Sequence, residues 1–175
     1  TTLKTATFNF KLQNASAANP LDMTSYITNQ GFDDNTSTGW NGAGTVNYHE
    51  VEYYQKTFDL NQQVKGLPAG KYILKVRGFE RHKGNDGGAA YRSGTEAIYA
   101  RFYAKSTTFS EITAPFSSLY RHKYTGADNV SGYVNTMAGA EIMMNKTDSA
   151  YYEVTLPSIL VSDGDVLTIG ARSTF

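Results

Sequence analysis

Leu67-Pro68-Ala69-Gly70 followed by Lys71-Tyr72-Ile73-Leu74-Lys75-Val76-Arg77-Gly78-Phe79 decides the fold class. Pro68 fixes φ and Gly70 permits the turn, so the chain reverses here. Beyond the turn Tyr72, Leu74 and Val76 alternate with Lys75 and Arg77, the period of two expected of a strand with one buried face. Working outward, the same alternation recurs. Ile98, Ala100 and Phe102 alternate with Tyr99, Arg101 and Tyr103 over residues 96–104, and Tyr152, Val154 and Leu156 form a further run. After the turn Asp163-Gly164-Asp165, Leu167, Ile169 and Ala171 alternate with Thr168 and Arg172. Earlier in the chain, residues 8–12 (Phe8, Phe10, Leu12) and 52–60 (Tyr54, Phe58, Leu60) read as strands too. Only residues 133–144, with Met137, Ala140, Ile142 and Met143, have a helical spacing. Short strands, turns and alternating hydrophobicity predict an all-β fold, an antiparallel β-sandwich. Its expected core is Tyr72, Leu74, Val76, Ile98, Phe102, Val154, Leu156, Leu167 and Ile169.

Composition agrees with that class. The chain has 175 residues, enough for one domain that buries roughly 70% of its unfolded surface. Sixteen Lys and Arg balance sixteen Asp and Glu, so no global field attracts nucleic acid or an anionic membrane surface. Polarity comes mainly from Thr, Asn, Ser and thirteen Tyr, a surface that binds through hydroxyls, amides and aromatic faces. The absence of cysteine removes disulfides, thiolate metal sites and Cys nucleophiles. No apolar run reaches the roughly eighteen residues of a membrane span, and the start at Thr1-Thr2 reads as trimmed, either of a leader or out of a longer protein.

The chemistry-bearing residues gather in loops. Residues 82–94 hold Gly84, Gly87, Gly88 and Gly94 with little apolar content, which predicts an irregular loop, long for a hairpin. Arg81, His82 and Arg92 would supply donors there, Tyr91 an aromatic platform, and the glycines close backbone approach. Trp40 is a further stacking candidate, bordering the same loop. The alternative ligand face is Tyr99, Arg101 and Tyr103 on the strand at 96–104. His49-Glu50-Val51-Glu52 lacks the second His that a zinc hydrolase motif needs. Glu50 and Glu52 imitate a glycosidase carboxylate pair, but alternation at a strand start puts both on one solvent face as readily as in a cleft, and the solvated face is the preferred expectation. No nucleophile elbow, Walker or dinucleotide fingerprint occurs, so the expectation is a protein that is not an enzyme.

Several stretches carry a resemblance. Residues 22–33, ending Thr28-Asn29-Gln30-Gly31-Phe32-Asp33, are followed by Gly39-Trp40; further on come Leu67-Pro68-Ala69-Gly70-Lys71-Tyr72, Gly78-Phe79-Glu80-Arg81, Val134-Asn135-Thr136-Met137-Ala138 and Asp163-Gly164-Asp165-Val166-Leu167-Thr168-Ile169-Gly170. In order and spacing they resemble galactose-binding-like domains of surface and secreted proteins of gut-type Gram-negative bacteria. The resemblance covers residues 21–175, leaving 1–20 as an N-terminal strand and extension. It implies a jelly-roll sandwich and a non-catalytic carbohydrate-binding module, extracellular or on the bacterial cell surface, attached to other domains. A structural or adhesion spacer that binds a protein partner is the alternative. The usual last strand, with its acidic residue, is absent after Ile169-Gly170; the 8–12 strand is the candidate to fill that gap. By the same resemblance Trp40 packs into the sandwich edge, and Asp33 and Asp34 are candidate ligands of a structural calcium, although turn preference alone explains an Asp pair here.

Overall fold

The computed structural model describes residues 16–81, 86–146 and 150–174. Among them the dominant element is the antiparallel strand. The larger sheet has the order β3 (Phe58–Val64), β10 (Leu167–Ser173), β6 (Arg101–Lys105), β7 (Ile112–Pro115). A second antiparallel pair, β4 (Gly70–Arg77) with β9 (Glu153–Val161), closes over it. Both bury one apolar face in a common core, an all-β arrangement compatible with a sandwich. From the larger sheet Val64, Phe102, Ala104, Leu167, Ile169 and Ala171 point inward, and from β9 Leu156, Ile159 and Val161 meet them. Tyr72, Leu74, Val76 and Val154 pack half-buried against that core. No helix among the described residues is long and apolar enough to cross a membrane.

The spacing in β9 contains a break that the pairing resolves. Leu156 and Ile159 are three residues apart, yet both face inward. Tyr72 pairs with Ile159 and Leu74 with Leu156, so Pro157 and Ser158 together oppose Ile73. This is a β-bulge, with Ser158 at φ 64°, and the extra residue restores the inward phase that a three-residue step would lose.

Two expected strands are corrected, and with the second of them the core position of Ile98. The strand at 52–60 is interrupted: β2 (Glu50–Glu52) ends at its first residue and β3 starts only at Phe58, with Gln55 at φ 48° between them and Tyr54 exposed. The strand at 96–104 begins only at Arg101. The Glu80 carboxylate accepts the Tyr99 and Ala100 N–H groups at 2.9 and 2.7 Å, taking donors that a sheet ladder would use. Ile98 therefore lies half-buried in coil and belongs to neither core cluster. The 8–12 strand lies outside the described residues.

A second, aromatic core lies where β5 (Phe79–Glu80) pairs in parallel with β8 (Ser117–Ser118). It contains Leu119, Tyr120, Tyr124, Tyr133, Val134 and Tyr152, together with Ala140 and Met143 of helix α2 (Met137–Met144). Thr136 caps that helix, accepting the Gly139 N–H at 3.0 Å, and Arg77 donates to the Met144 carbonyl at its other end. The helical reading of 133–144 thus falls on α2.

The last turn is held by one carboxylate. Asp165 is buried and accepts from Ser106 Oγ (3.0 Å), Thr107 Oγ1 (2.8 Å), Thr108 Oγ1 and the Ser162 N–H (3.1 Å). The Thr108 hydroxyl, the Ser162 amide and the Thr107 hydroxyl bring its pKa down to about 2. A depressed carboxylate stabilises the fold above its unfolded value and stops doing so as pH falls toward 2. Thermal melts of wild type and Asp165→Asn should therefore differ widely at pH 6 and converge between pH 4 and 2; a gap that stays constant to pH 2 would refute this role.

Candidate functional site

The Gly-rich stretch is less irregular than its composition predicts. Residues 89–93 form a short helix, α1 (Ala89–Ser93). The Asp86 carboxylate accepts the Gly88 and Ala90 N–H groups at 2.7 and 2.9 Å, and Gly88 and Gly94 start and stop the turn at φ 83° and 71°. The glycines that read as flexibility occupy the two left-handed positions the helix ends require. Tyr91 stands 40% exposed on this helix. The exposed Arg92 donates to the Gly87 carbonyl at 2.8 Å.

Arg81 leaves the end of β5 half-buried and donates to Asn135 Oδ1 at 2.5 Å. Between it and α1 lies Tyr120, almost fully buried. Burial first, then the Asp86 charge, raise its phenol pKa, while the Arg81 charge opposes the rise. A methyl on Gly88 would stand 3.0 Å from the Tyr120 ring and 3.2 Å from Arg92 Nη1. Arg81, Asp86, Gly88 and Arg92 are thus assembled around one tyrosine, with Tyr91 on the adjoining helix. His82 lies outside the described residues.

The other predicted residues have different surroundings. Trp40 is half-buried against the main core, its Nε1 donating to the Asn29 carbonyl at 3.0 Å and its ring 5.4 Å from Phe32. The indole closes the loop before β1 (Thr45–Asn47). Tyr103 corrects the alternative ligand face, because it is only 2% exposed. Its ring lies on the outer face of the larger sheet under the Arg172 guanidinium, 4.9 Å from the centroid, and its hydroxyl donates to Asp59 Oδ1 at 2.6 Å. Arg101 is turned to Thr113 Oγ1 at 3.1 Å, and Tyr99 remains exposed in the coil. Asp34 is occupied within its own turn, accepting the Thr36 N–H and Oγ1 at 3.0 and 2.8 Å, while Asp33 is exposed. Among the described residues no group of three or more His, Asp or Glu side chains is placed to hold a metal ion.

Glu50 is a further correction, since it does not share a solvated face with Glu52. It is 8% exposed, and its Oε2 has no hydrogen-bond partner among the described residues. Burial first, then the charges of Glu52 and Glu141, push its pKa up to about 8. Beside it His49 meets Glu141 of α2 at 2.5 Å. This site was hidden because β1 and β2 join through Tyr48 and His49 at φ 51° and 55°, a turn that normally announces itself with Asn-Gly.

Sequence reasoning also missed a cavity of about 260 Å³ between the 123–126 segment and α2, lined by Lys123, Tyr124, Thr125, Gly126, Ile142, Met143 and Lys146. Its two walls are far apart in sequence, and no local motif marks it. No family model matches the chain, and no curated protein or solved structure matches it.

Proposed function

We propose that this domain is a non-catalytic carbohydrate-binding module of the jelly-roll, galactose-binding-like type, belonging to a secreted or cell-surface bacterial protein and holding its glycan at the α1 end. The observation that carries this reading is Tyr91, an exposed aromatic face on the same short helix as Arg92, braced by the Asp86 carboxylate, while the Arg81 guanidinium, held by Asn135, and Asp86 both act on the neighbouring Tyr120. An aromatic ring covers the C–H face of a pyranose, and planar polar groups held by their own hydrogen bonds meet its hydroxyls without further ordering. Internal bonds occupy only part of each group's capacity, since a guanidinium has five donors.

One stacked ring and a few hydrogen bonds in competition with water correspond to a Kd of about 1 mM, or about −4 kcal/mol. A glycan array followed by titration of any hit tests this. Tyr91→Ala should weaken the hit about tenfold, the loss of one aromatic contact worth about 1.4 kcal/mol, and Arg81→Ala should also weaken it, both with unchanged melting. Tyr99→Ala should leave it intact; the reverse pattern places the glycan elsewhere. Tyr103→Ala is no control for the sheet face, because that side chain is buried.

One observation favours a protein-binding spacer instead. Ile73 and Leu160, 59% and 54% exposed, are near neighbours on the outer face of the β4–β9 pair, whose strands pair only with each other among the described residues. An unpaired edge beside an apolar patch suits strand addition by a partner. An array without hits, together with a partner lost on Ile73→Lys, would favour that reading.

A further inference from the structure

The cavity beside α2 has a chemistry that the charge balance of the whole chain conceals. Lys123 and Lys146 stand on its rim, both exposed. Among the described residues the ion pairs are His49–Glu141, Lys75–Glu153 and Arg172–Glu111, so neither rim lysine is neutralised by a carboxylate there. Aromatic rings hold them instead: Lys123 Nζ is 3.7 Å from the Tyr133 centroid and Lys146 Nζ 5.4 Å from that of Tyr151. A cation–π contact orients an ammonium while leaving its charge in place. Asp128, which adjoins Tyr124, is already engaged by Tyr124 Oη at 2.7 Å and by Thr136.

Of the remaining lining, Tyr124 and Thr125 carry hydroxyls, Ile142 and Met143 are apolar, and Gly126 is bare backbone. Ile142 is exposed, Met143 is buried, and a methyl on Gly126 would overlap the Tyr124 hydroxyl, so backbone alone fits at that position. The volume lies just below the roughly 300 Å³ at which drug-sized sites begin, enough for one ring and its substituents.

We propose that this cavity binds a monosaccharide-sized anion, its carboxylate or sulfate between Lys123 and Lys146 and its apolar face on Ile142. The inference deepens the carbohydrate reading by giving the ligand a charge. The two sites are also near each other: a methyl on Gly87 would stand 3.7 Å from Ser131, and one on Gly132 3.5 Å from Lys123 Nζ. A glycan at α1 that carries an acidic residue could thus reach both.

The test is an amide NMR titration of the full chain with glucuronate, glucose 6-sulfate and glucose. Glucuronate or the sulfate should shift Thr125, Gly126 and Met143 with millimolar affinity; the better of the two identifies the anionic group, and glucose should leave these residues unmoved. Raising salt to about 0.5 M should weaken the binding, because exposed charges are screened within a few ångströms at that strength. Lys146→Ala should weaken it about tenfold and Lys146→Arg should retain it, with melting unchanged in both. No shifts from either anion, or equal affinity in Lys146→Ala, overturns the assignment. If the anions leave the cavity untouched while a neutral glycan binds in a Tyr91-dependent way, this inference fails and the carbohydrate reading stands. If glucuronate occupies the cavity while no glycan responds to Tyr91→Ala, the cavity assignment holds and the α1 reading fails.

Discussion

Replacing Gly170 by Ala should cost the domain about 3 kcal/mol, the upper end of what overpacking a filled interior costs. Gly170 sits in the middle of β10, hydrogen-bonded between β3 and β6, with Asn61 and Tyr103 as its lateral partners. Its neighbours Ile169 and Ala171 fill the core, so a side chain at 170 would point to the outer face. That space is taken. The Tyr103 ring crosses β10 there on its way to Asp59 on β3, and a methyl on Gly170 would stand 2.8 Å from Tyr103 Cζ and overlap the Leu60 carbonyl oxygen. The tyrosine could swing away only by losing the Asp59 bond and exposing its ring, and the carbonyl belongs to the β3 backbone and cannot move alone. Gly66→Ala is the control: its φ is 74° with nothing within 4 Å of the added methyl, so it should cost only about 1 kcal/mol for left-handed backbone. Urea unfolding of both variants measures the difference. Equal midpoints would show that the outer-face packing of Tyr103 contributes little.

The second large effect has the opposite sign. Glu50→Gln should make the domain more stable at pH 8 by about 2 kcal/mol and leave it unchanged at pH 4. In the folded state the Glu50 carboxyl keeps its proton up to about pH 8, against an ordinary value of 4.5. Between those limits the unfolded chain has released a proton that the folded chain retains, so stability falls as pH rises from 4.5 to 8. The full shift would be worth about 1.4 kcal/mol per pH unit, and partial solvation reduces it. Glutamine keeps the shape and cannot ionise, which removes the slope. Glu52→Gln should reduce it in part, since the Glu52 charge is the second cause of the shift after burial. Denaturant midpoints at pH 4, 6 and 8 decide the matter, and parallel pH profiles for wild type and Glu50→Gln would refute the buried-acid assignment.

Alternation by itself determined where most of the core strands run. Leu167, Ile169 and Ala171 of β10, and Tyr72, Leu74 and Val76 of β4, face inward as a period of two requires. The same local logic located α2, whose Thr136 cap and apolar residues are contiguous in sequence. Arg81, Tyr91 and Arg92 could be read together because they lie within a dozen positions of one another in sequence, although the helix that carries two of them, α1, was not foreseen. What escaped depends on groups remote in sequence. Strand β6 starts at Arg101 because Glu80, some twenty residues away, takes the preceding amides. Tyr103 is buried because Gly170 leaves a slot for it, and Glu50 because α2 packs over its hairpin. The Lys123–Lys146 cavity exists only where two distant segments face each other. Local propensity and periodicity act over a few residues and assign the inward face; burial of the outward face, and every pKa that follows from it, is set by whichever distant segment the tertiary fold lays over it.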